Sequence, residues 1–231
     1  NDIVGYVNKN TASKLLSFGT IFHEDNNAIH LSSKLKNLQQ RTEAVADILE
    51  TLWAEELCGM KLNENYAVRV EIDSPILMTI DRGASTHLGI ITTGFHLNGF
   101  LTNKNQIEMW IAKRSATRGT FPGQLDNIVA GGQPSHLTVA ENVIKECCEE
   151  ASIPKHLAQK AHPTGFISYL MEAEGNLRRH VMYIYDLLIP LDFTPIPNDG
   201  EVEAFSLMQM EDIIKIVSSF PDRLKFNCNL L

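Results

Sequence analysis

The sequence predicts an α/β sandwich preceded by a small α+β unit, and three observations carry that reading. First, apolar residues at Val45, Ile48, Leu49, Leu52, Trp53 and Leu57 recur at helical spacing, so residues 38–57 form an amphipathic helix that buries one stripe. Second, short β-rich runs follow it at 66–71, 76–80, 89–93 and 96–100. Third, beyond residue 103 strands and helices alternate: strands at 107–112, 165–171, 181–188 and 201–207, helices at about 136–151 and 210–218. The polar cluster Thr102-Asn103-Lys104-Asn105-Gln106 is a boundary or a hairpin turn, and dividing the chain there gives units of residues 1–103 and 104–231.

The 231 residues are 44% hydrophobic, enough for a sizeable core, and 20 Lys and Arg against 28 Asp and Glu leave a formal charge of −8. That balance argues against bulk binding of nucleic acid or an anionic membrane, because phosphate contacts need basic residues in excess. An acidic protein that takes a phosphorylated small molecule needs a cation between the two negative partners. Cys58, Cys147, Cys148 and Cys228 form no CxxC pair, which fits reduced thiols in the cytoplasm. No apolar run approaches the roughly 20 residues that span a bilayer, and no signal-peptide pattern is visible. A monomer or homodimer is expected.

The segment richest in chemistry begins at Gly131-Gly132-Gln133-Pro134-Ser135-His136-Leu137 and runs through Lys145-Glu146-Cys147-Cys148-Glu149-Glu150. Ala140, Val143, Ile144, Cys147 and Ala151 make an apolar stripe on its helix, which must face the core. Glu146, Glu149 and Glu150, at i, i+3 and i+4, share the neighbouring face. Three carboxylates within one turn repel one another unless a cation joins them, and hard oxygen donors suit Mg²⁺ or Mn²⁺. A solvated acidic face with Lys145 pairing Glu149 is the plainer alternative. The two glycines ahead of the helix favour the ligand reading, since such a turn lets backbone approach a phosphate at a helix N-terminus.

This segment resembles the Nudix box: Gly, five residues, Glu, seven residues, then Arg-Glu-apolar-x-Glu-Glu-x-Gly-apolar. Gly131, Glu146, Cys147, Glu149, Glu150 and Ile153 match, whereas Leu137, Lys145 and Ser152 stand where the pattern has Glu, Arg and Gly. Lys145 keeps the charge of the usual Arg without its bidentate fork. The resemblance extends through Phe121–Asn127, Val129–Gly132, Tyr185-Asp186-Leu187, Asp192-Phe193, Asp199–Glu203, Gly89-Ile90, Gly94 and His96–Gly99 to the Nudix subfamily associated with thiamine pyrophosphokinase. It implies a Nudix α/β/α sandwich with a mixed sheet, whose first hundred residues are a substrate-recognising extension. It further implies Mg²⁺-dependent cleavage of thiamine diphosphate, or of its oxy and oxo analogues, to the monophosphate and phosphate. The alternatives are a nucleotide diphosphate derivative such as ADP-ribose, an isoprenoid diphosphate, or a module that binds metal and ligand without turnover.

In that reading Glu146, Glu149 and Glu150, with the Gly131 carbonyl, hold the metal, and Glu146, Glu149 and Glu201 serve catalysis. Lys113, Arg114 and Arg118, on the strand end and loop before the box, are candidates for phosphate contacts. Glu201 and Glu203 alternate onto one side of a strand, which makes Glu201 the leading further ligand or general base, with Glu172 and Glu174 as competitors. His96 and Asn98 share a strand face between Gly94 and Gly99, where they are candidates to meet a substrate ring; a core histidine is the plainer alternative. The other histidines show no HxxxH or HExxH spacing, and no serine sits in a GxSxG elbow.

Overall fold

The computed structural model describes residues 2–104, 106–173 and 175–230. Asn105 of the polar cluster and Glu174, a competitor for the base, therefore lie outside the described residues. The chain divides into two compact units. One comprises the residues up to Thr92 together with Pro134–His136 and Ser168–Val181, and the other comprises Thr93–Gln133, Leu137–Ile167 and the residues from Met182 onward.

The first unit opens with α1 (Lys9–Leu16), capped by Asn8, whose side chain accepts from Thr11 N. A two-stranded hairpin follows, β1 (Phe22–Asp25) and β2 (Ala28–Leu31). Its turn residues Asn26 and Asn27 have φ of 50° and 58°, the left-handed pair that a two-residue hairpin loop requires and asparagine tolerates. The long amphipathic helix is α2 (Leu38–Ala54), capped by Asn37 and burying Val45, Ile48, Leu49 and Leu52 as its periodicity predicts. It ends three residues short of Leu57, where Glu56 turns to φ 56°. The strands β3 (Asn65–Val68) and β4 (Met78–Asp81) pair antiparallel, and α2 packs on β4 through the apolar stripe. Thr79 N donates to Thr42 Oγ1 at 2.9 Å and Arg41 Nε donates to the Leu77 carbonyl at 2.7 Å, which fixes the helix on the sheet.

The expected runs at 89–93 and 96–100 are one strand, β5 (Ile91–Asn103), because Gly94 does not interrupt pairing where a neighbouring backbone takes up its empty side. It continues into β6 (Gln106–Arg114) with Asn103 opposite Gln106, so the polar cluster is the turn of a hairpin. β7 (Leu125–Asn127) pairs with β6, and β8 (Val129–Gly132) pairs with β5. The helix expected from 136 starts later, as α3 (Val139–Ala151), and the one-turn α4 (Lys155–Ala158) follows. β9 (His162–Ala173), β10 (Asn176–Leu188), β11 (Val202–Gln209) and α5 (Met210–Ser219) complete the chain.

The large sheet runs in the order β11-β6-β5-β10-β9. β11, β6 and β5 are antiparallel neighbours. β5 and β10 run in the same direction, since Thr92 Oγ1 bonds to the Arg179 carbonyl near one end and Ile189 N to the Phe100 carbonyl at the other. The sheet is therefore mixed, as expected. Phe95, Leu97, Ile128 and Leu187 from this region pack against Val143, Cys147 and Ala151 of α3, with Ile144 alongside, so the apolar stripe of the carboxylate helix faces the core except at Ala140, which is exposed in the first turn.

Candidate functional site

The helix α3 starts sharply because Thr138 and Glu141 form a capping box, in which each side chain takes up the other's free backbone N–H. The cap sets which side chains face the glycine strand. Asn142, Glu146 and Glu150 fall at i, i+4 and i+8 and lie on one face, and each meets one residue of β8 in reverse order. Asn142 Nδ2 donates to the Gly132 carbonyl at 2.8 Å. Glu146 lies over Gly131 so closely that a Cβ there would sit 2.9 Å from its Cγ. Glu150 Oε2 accepts from Ala130 N at 3.2 Å. Gly131 is thus required by packing: any larger residue would displace Glu146.

Glu150 is the most informative member of this row. It is 7% exposed, and among the described residues no cation pairs with it. Burial pushes its carboxyl well above the usual range, the negative charge of Glu146 adds to this, and the Ala130 N–H only partly opposes them. Oxygens of Glu150, Asp199 and Glu201 lie within 4.8 Å of one another, an all-oxygen donor set of the kind hard divalent ions take. The donors and the uncompensated buried charge both fit Mg²⁺ or Mn²⁺. Asp199, to which the sequence reading gave no role, is brought in by its turn: Gly200 has φ 82°, and Asp199 Oδ1 accepts from Glu201 N at 2.8 Å. The Asp-Gly-Glu spacing was the available signal.

Glu201 reaches this group, whereas Glu203 does not, contrary to the alternation expected of them. Val202 pairs with Arg114 and Ala204 with Lys113, so Glu203 is the extra residue of a β-bulge, which breaks the period of two. Glu203 instead pairs with Lys113 at 2.7 Å on the surface. Arg118 forms an ion pair with Glu201. Lys145 bridges Glu146 at 3.0 Å and Glu149 at 2.8 Å; burial works against its charge, but the two carboxylates outweigh this and hold its pKa above the ordinary lysine value. Glu149 is half exposed and is linked to the row through Lys145.

Arg114, His96 and Asn98 belong to a second polar cluster, built around Asp126. Arg114 Nη1 and Lys225 Nζ each donate to Asp126 Oδ2 at 2.9 Å, and Asn127 N and the Cys228 thiol each donate to Oδ1 at 2.9 Å. The rest of the Arg114 guanidinium binds the carbonyls of Thr120 and Phe121, which secures the loop before the box. His96 has no exposed surface: Nδ1 donates to Asn127 Oδ1 at 2.8 Å, and Nε2 accepts from Asn227 Nδ2 at 2.9 Å. Burial, with Lys225 nearby, lowers its pKa to about 4, so it is a neutral core histidine. Asn98 accepts from Asn127 at 2.7 Å and donates to Asp186 at 3.0 Å. His96, Asp126 and Cys228 also have ligand atoms within 4.8 Å of one another, but the hydrogen bonds just given take up the His96 and Asp126 acceptors, and burial holds the Cys228 thiol protonated by pushing its pKa well above the ordinary value.

The molecule is therefore an α/β sandwich protein with an oxygen-lined site suited to a hard divalent cation. Residues 1–92 match a family model described as "Domain of unknown function (DUF4743)". The chain is 36% identical over 241 residues to "Nudix hydrolase 20, chloroplastic" of Arabidopsis thaliana, covering 99% of this chain and 63% of that protein. It is equally, 36%, identical over 234 residues to "Nudix hydrolase 24, chloroplastic" of the same plant, again with 99% and 63% covered. This chain thus spans somewhat under two thirds of the length of these relatives. Among solved structures, DR0079 from Deinococcus radiodurans superimposes with a TM-score of 0.51 at 21% identity, over 75% of this chain and 95% of that one. Over nearly its whole length the chain is thus similar to proteins named Nudix hydrolases. No helix among the described residues is long and apolar enough to cross a membrane.

Proposed function

We propose that this chain is a Mg²⁺-dependent pyrophosphohydrolase, with Mn²⁺ able to replace Mg²⁺, that cleaves the P–O–P linkage of a small diphosphate. The observation that carries this reading is Glu150, a carboxylate buried beside Glu146, Asp199 and Glu201 with no cation paired to it among the described residues. Glu146, Glu149, Glu150 and the Gly131 carbonyl are the proposed holders of the metal, joined by Asp199 and Glu201. When bound, the cation neutralises diphosphate oxygens and lowers the pKa of a water. Glu201 takes the proton of the attacking water as the P–O bond to the leaving phosphate breaks, and Arg118, ion-paired with Glu201, faces the phosphate charge. Lys113 is the second phosphate contact, and Arg114 acts by holding the loop that carries Arg118. His96 and Asn98, the sequence's candidates for meeting a substrate ring, are held inside the Asp126 network and are given a scaffold role instead.

The proposed substrate is thiamine diphosphate or its oxy and oxo analogues, supported by the residues from Gly89 to Glu203 that resemble the thiamine-associated subfamily. The first compact unit, whose main segment runs to Thr92, is proposed as the substrate-recognising extension and the second as the hydrolase domain, in place of a division at 103, because Asn103 and Gln106 face each other across the β5–β6 hairpin; the protein is proposed as a monomer or homodimer. The four free cysteines suit a reducing compartment, with the cytoplasm as first choice. The test is phosphate release with Mg²⁺ from thiamine diphosphate, oxythiamine diphosphate, ADP-ribose and a nucleoside triphosphate. Glu149→Gln and Glu150→Gln are each expected to lower turnover by about a thousandfold. Preference for ADP-ribose would replace the substrate and keep the chemistry. Saturable binding without release from any substrate would leave a binding module, the role that Leu137 in place of Glu favours.

A further inference from the structure

The row of Asn142, Glu146 and Glu150 contains one residue that no carboxylate chemistry explains. Asn142 is fully buried, donates to the Gly132 carbonyl at 2.8 Å, and leaves its own Oδ1 buried without a partner among the described residues. A buried amide with only its donor satisfied is less favourable than an apolar side chain of the same shape. What that donor holds is the peptide between Gly132 and Gln133. The N–H of this peptide is taken by the Thr93 carbonyl at 2.9 Å, so both of its polar ends are fixed. The same turn is braced by Gln133 Nε2, which donates to the Leu137 carbonyl at 2.6 Å, while the Leu137 side chain offers no polar group.

One residue upstream, Gly131 is pressed between β5 and α3. A Cβ on Gly94 would lie 2.6 Å from the Gly131 oxygen, and a Cβ on Gly131 would lie 2.9 Å from Glu146 Cγ and 3.0 Å from Phe95. A turn packed this closely has no slack, so a shift of the Gly132 peptide moves both the Gly131 carbonyl and the Glu146 carboxylate. We propose that Asn142 is a positioning residue for the metal site, fixing the glycine turn so that the Gly131 carbonyl and Glu146 present their oxygens to a divalent cation together. The inference rests on the metal reading given above. Asn142 supplies a neutral donor at the one place in the row where another carboxylate would face a carbonyl oxygen.

The test is Mn²⁺ binding followed by electron paramagnetic resonance, on the whole chain, for the wild type, Asn142→Leu, Asn142→Ala and Glu150→Gln. Both Asn142 variants are expected to bind Mn²⁺ at least about tenfold more weakly, as when an outer residue that orients a metal ligand is removed. Asn142→Leu should keep its melting temperature in EDTA within a few degrees of wild type, and saturating Mg²⁺ should restore most of its kcat. Asn142→Ala, which adds no atoms, decides the matter if the leucine variant does not fold. Wild-type Mn²⁺ affinity in whichever of the two folds overturns the inference and leaves the metal site standing. If the wild type itself binds no Mn²⁺, or binds it as well after Glu150→Gln, the metal site is wrong and the inference falls with it.

Discussion

Two buried acids in the second unit, Asp126 and Glu150, are handled in opposite ways. Burial by itself would raise the Asp126 carboxyl, but Lys225, His96 and the Cys228 thiol around it hold it far below the usual carboxylate range. Arg114 and Lys225 give it two cations at 2.9 Å, and its four accepting positions are filled. Glu150 has the same degree of burial and is surrounded instead by Glu146, Asp199 and Glu201. Burying an ionised carboxylate costs several kcal/mol unless charge or hydrogen bonds offset it. Where the protein supplies that charge, the cluster is part of the scaffold. Where it does not, a proton or a bound cation must, and that deficit marks the candidate site better than any count of acidic residues does.

The contrast can be broken most severely at Asp126. Asp126→Asn keeps the shape but leaves Arg114 and Lys225 buried without their partner, and is expected to destabilise the protein by about 3 kcal/mol at pH 7. Urea unfolding measures this, and a loss below about 0.5 kcal/mol would mean the cluster is not the closed network described.

A pH profile sharpens the same point. His96 titrates near 6.5 when unfolded and at about 4 in the fold, so between these values the unfolded chain binds the extra proton. Its contribution is therefore complete above pH 6.5 and is lost as the pH falls towards 4, about 3 kcal/mol in all. Glu150 has the opposite sign. Its folded pKa is raised, so without metal its contribution is complete below the unfolded value and declines as the pH rises above it. The His96 slope is best read in Glu150→Gln, where the opposing slope is absent, and a flat profile there from pH 7 to 4 would contradict a buried neutral His96. The smallest effect is the converse one. At pH 7 in EDTA, Glu150→Gln should melt a few degrees above wild type, whereas with Mg²⁺ the wild type should gain and the variant should not.

Much of the scaffold is legible in the order of residues. The stripe of α2, the stripe of α3 and the position of the carboxylates on α3 follow from helical spacing, since a helix end fixed by a cap determines every facing below it. The short hairpin β1–β2 has no place in the sequence reading, although Asn26-Asn27, a pair suited to left-handed backbone, was its signal. The strand boundaries were less so: Gly94 reads as a break and is instead the point where β8 approaches β5. Glu203 illustrates the limit of alternation, because a bulge is decided by the partner strand and leaves no mark in the strand's own sequence.

The sequence by itself determined that Glu146 and Glu150 lie along one side of a helix behind a glycine turn, with Glu149 beside them, because 3.6 residues per turn leave no other arrangement. It also determined that this face lies beside a buried stripe. Only the tertiary structure decided which acids meet there. Asp199 and Glu201 reach Glu150 through a turn some fifty residues further along, Glu203 is turned away by a bulge, and Arg114 and His96 are drawn to Asp126 by segments far apart in the chain. Periodicity constrains neighbours along one element, whereas the charge balance of a buried group is a sum over whatever the fold packs around it.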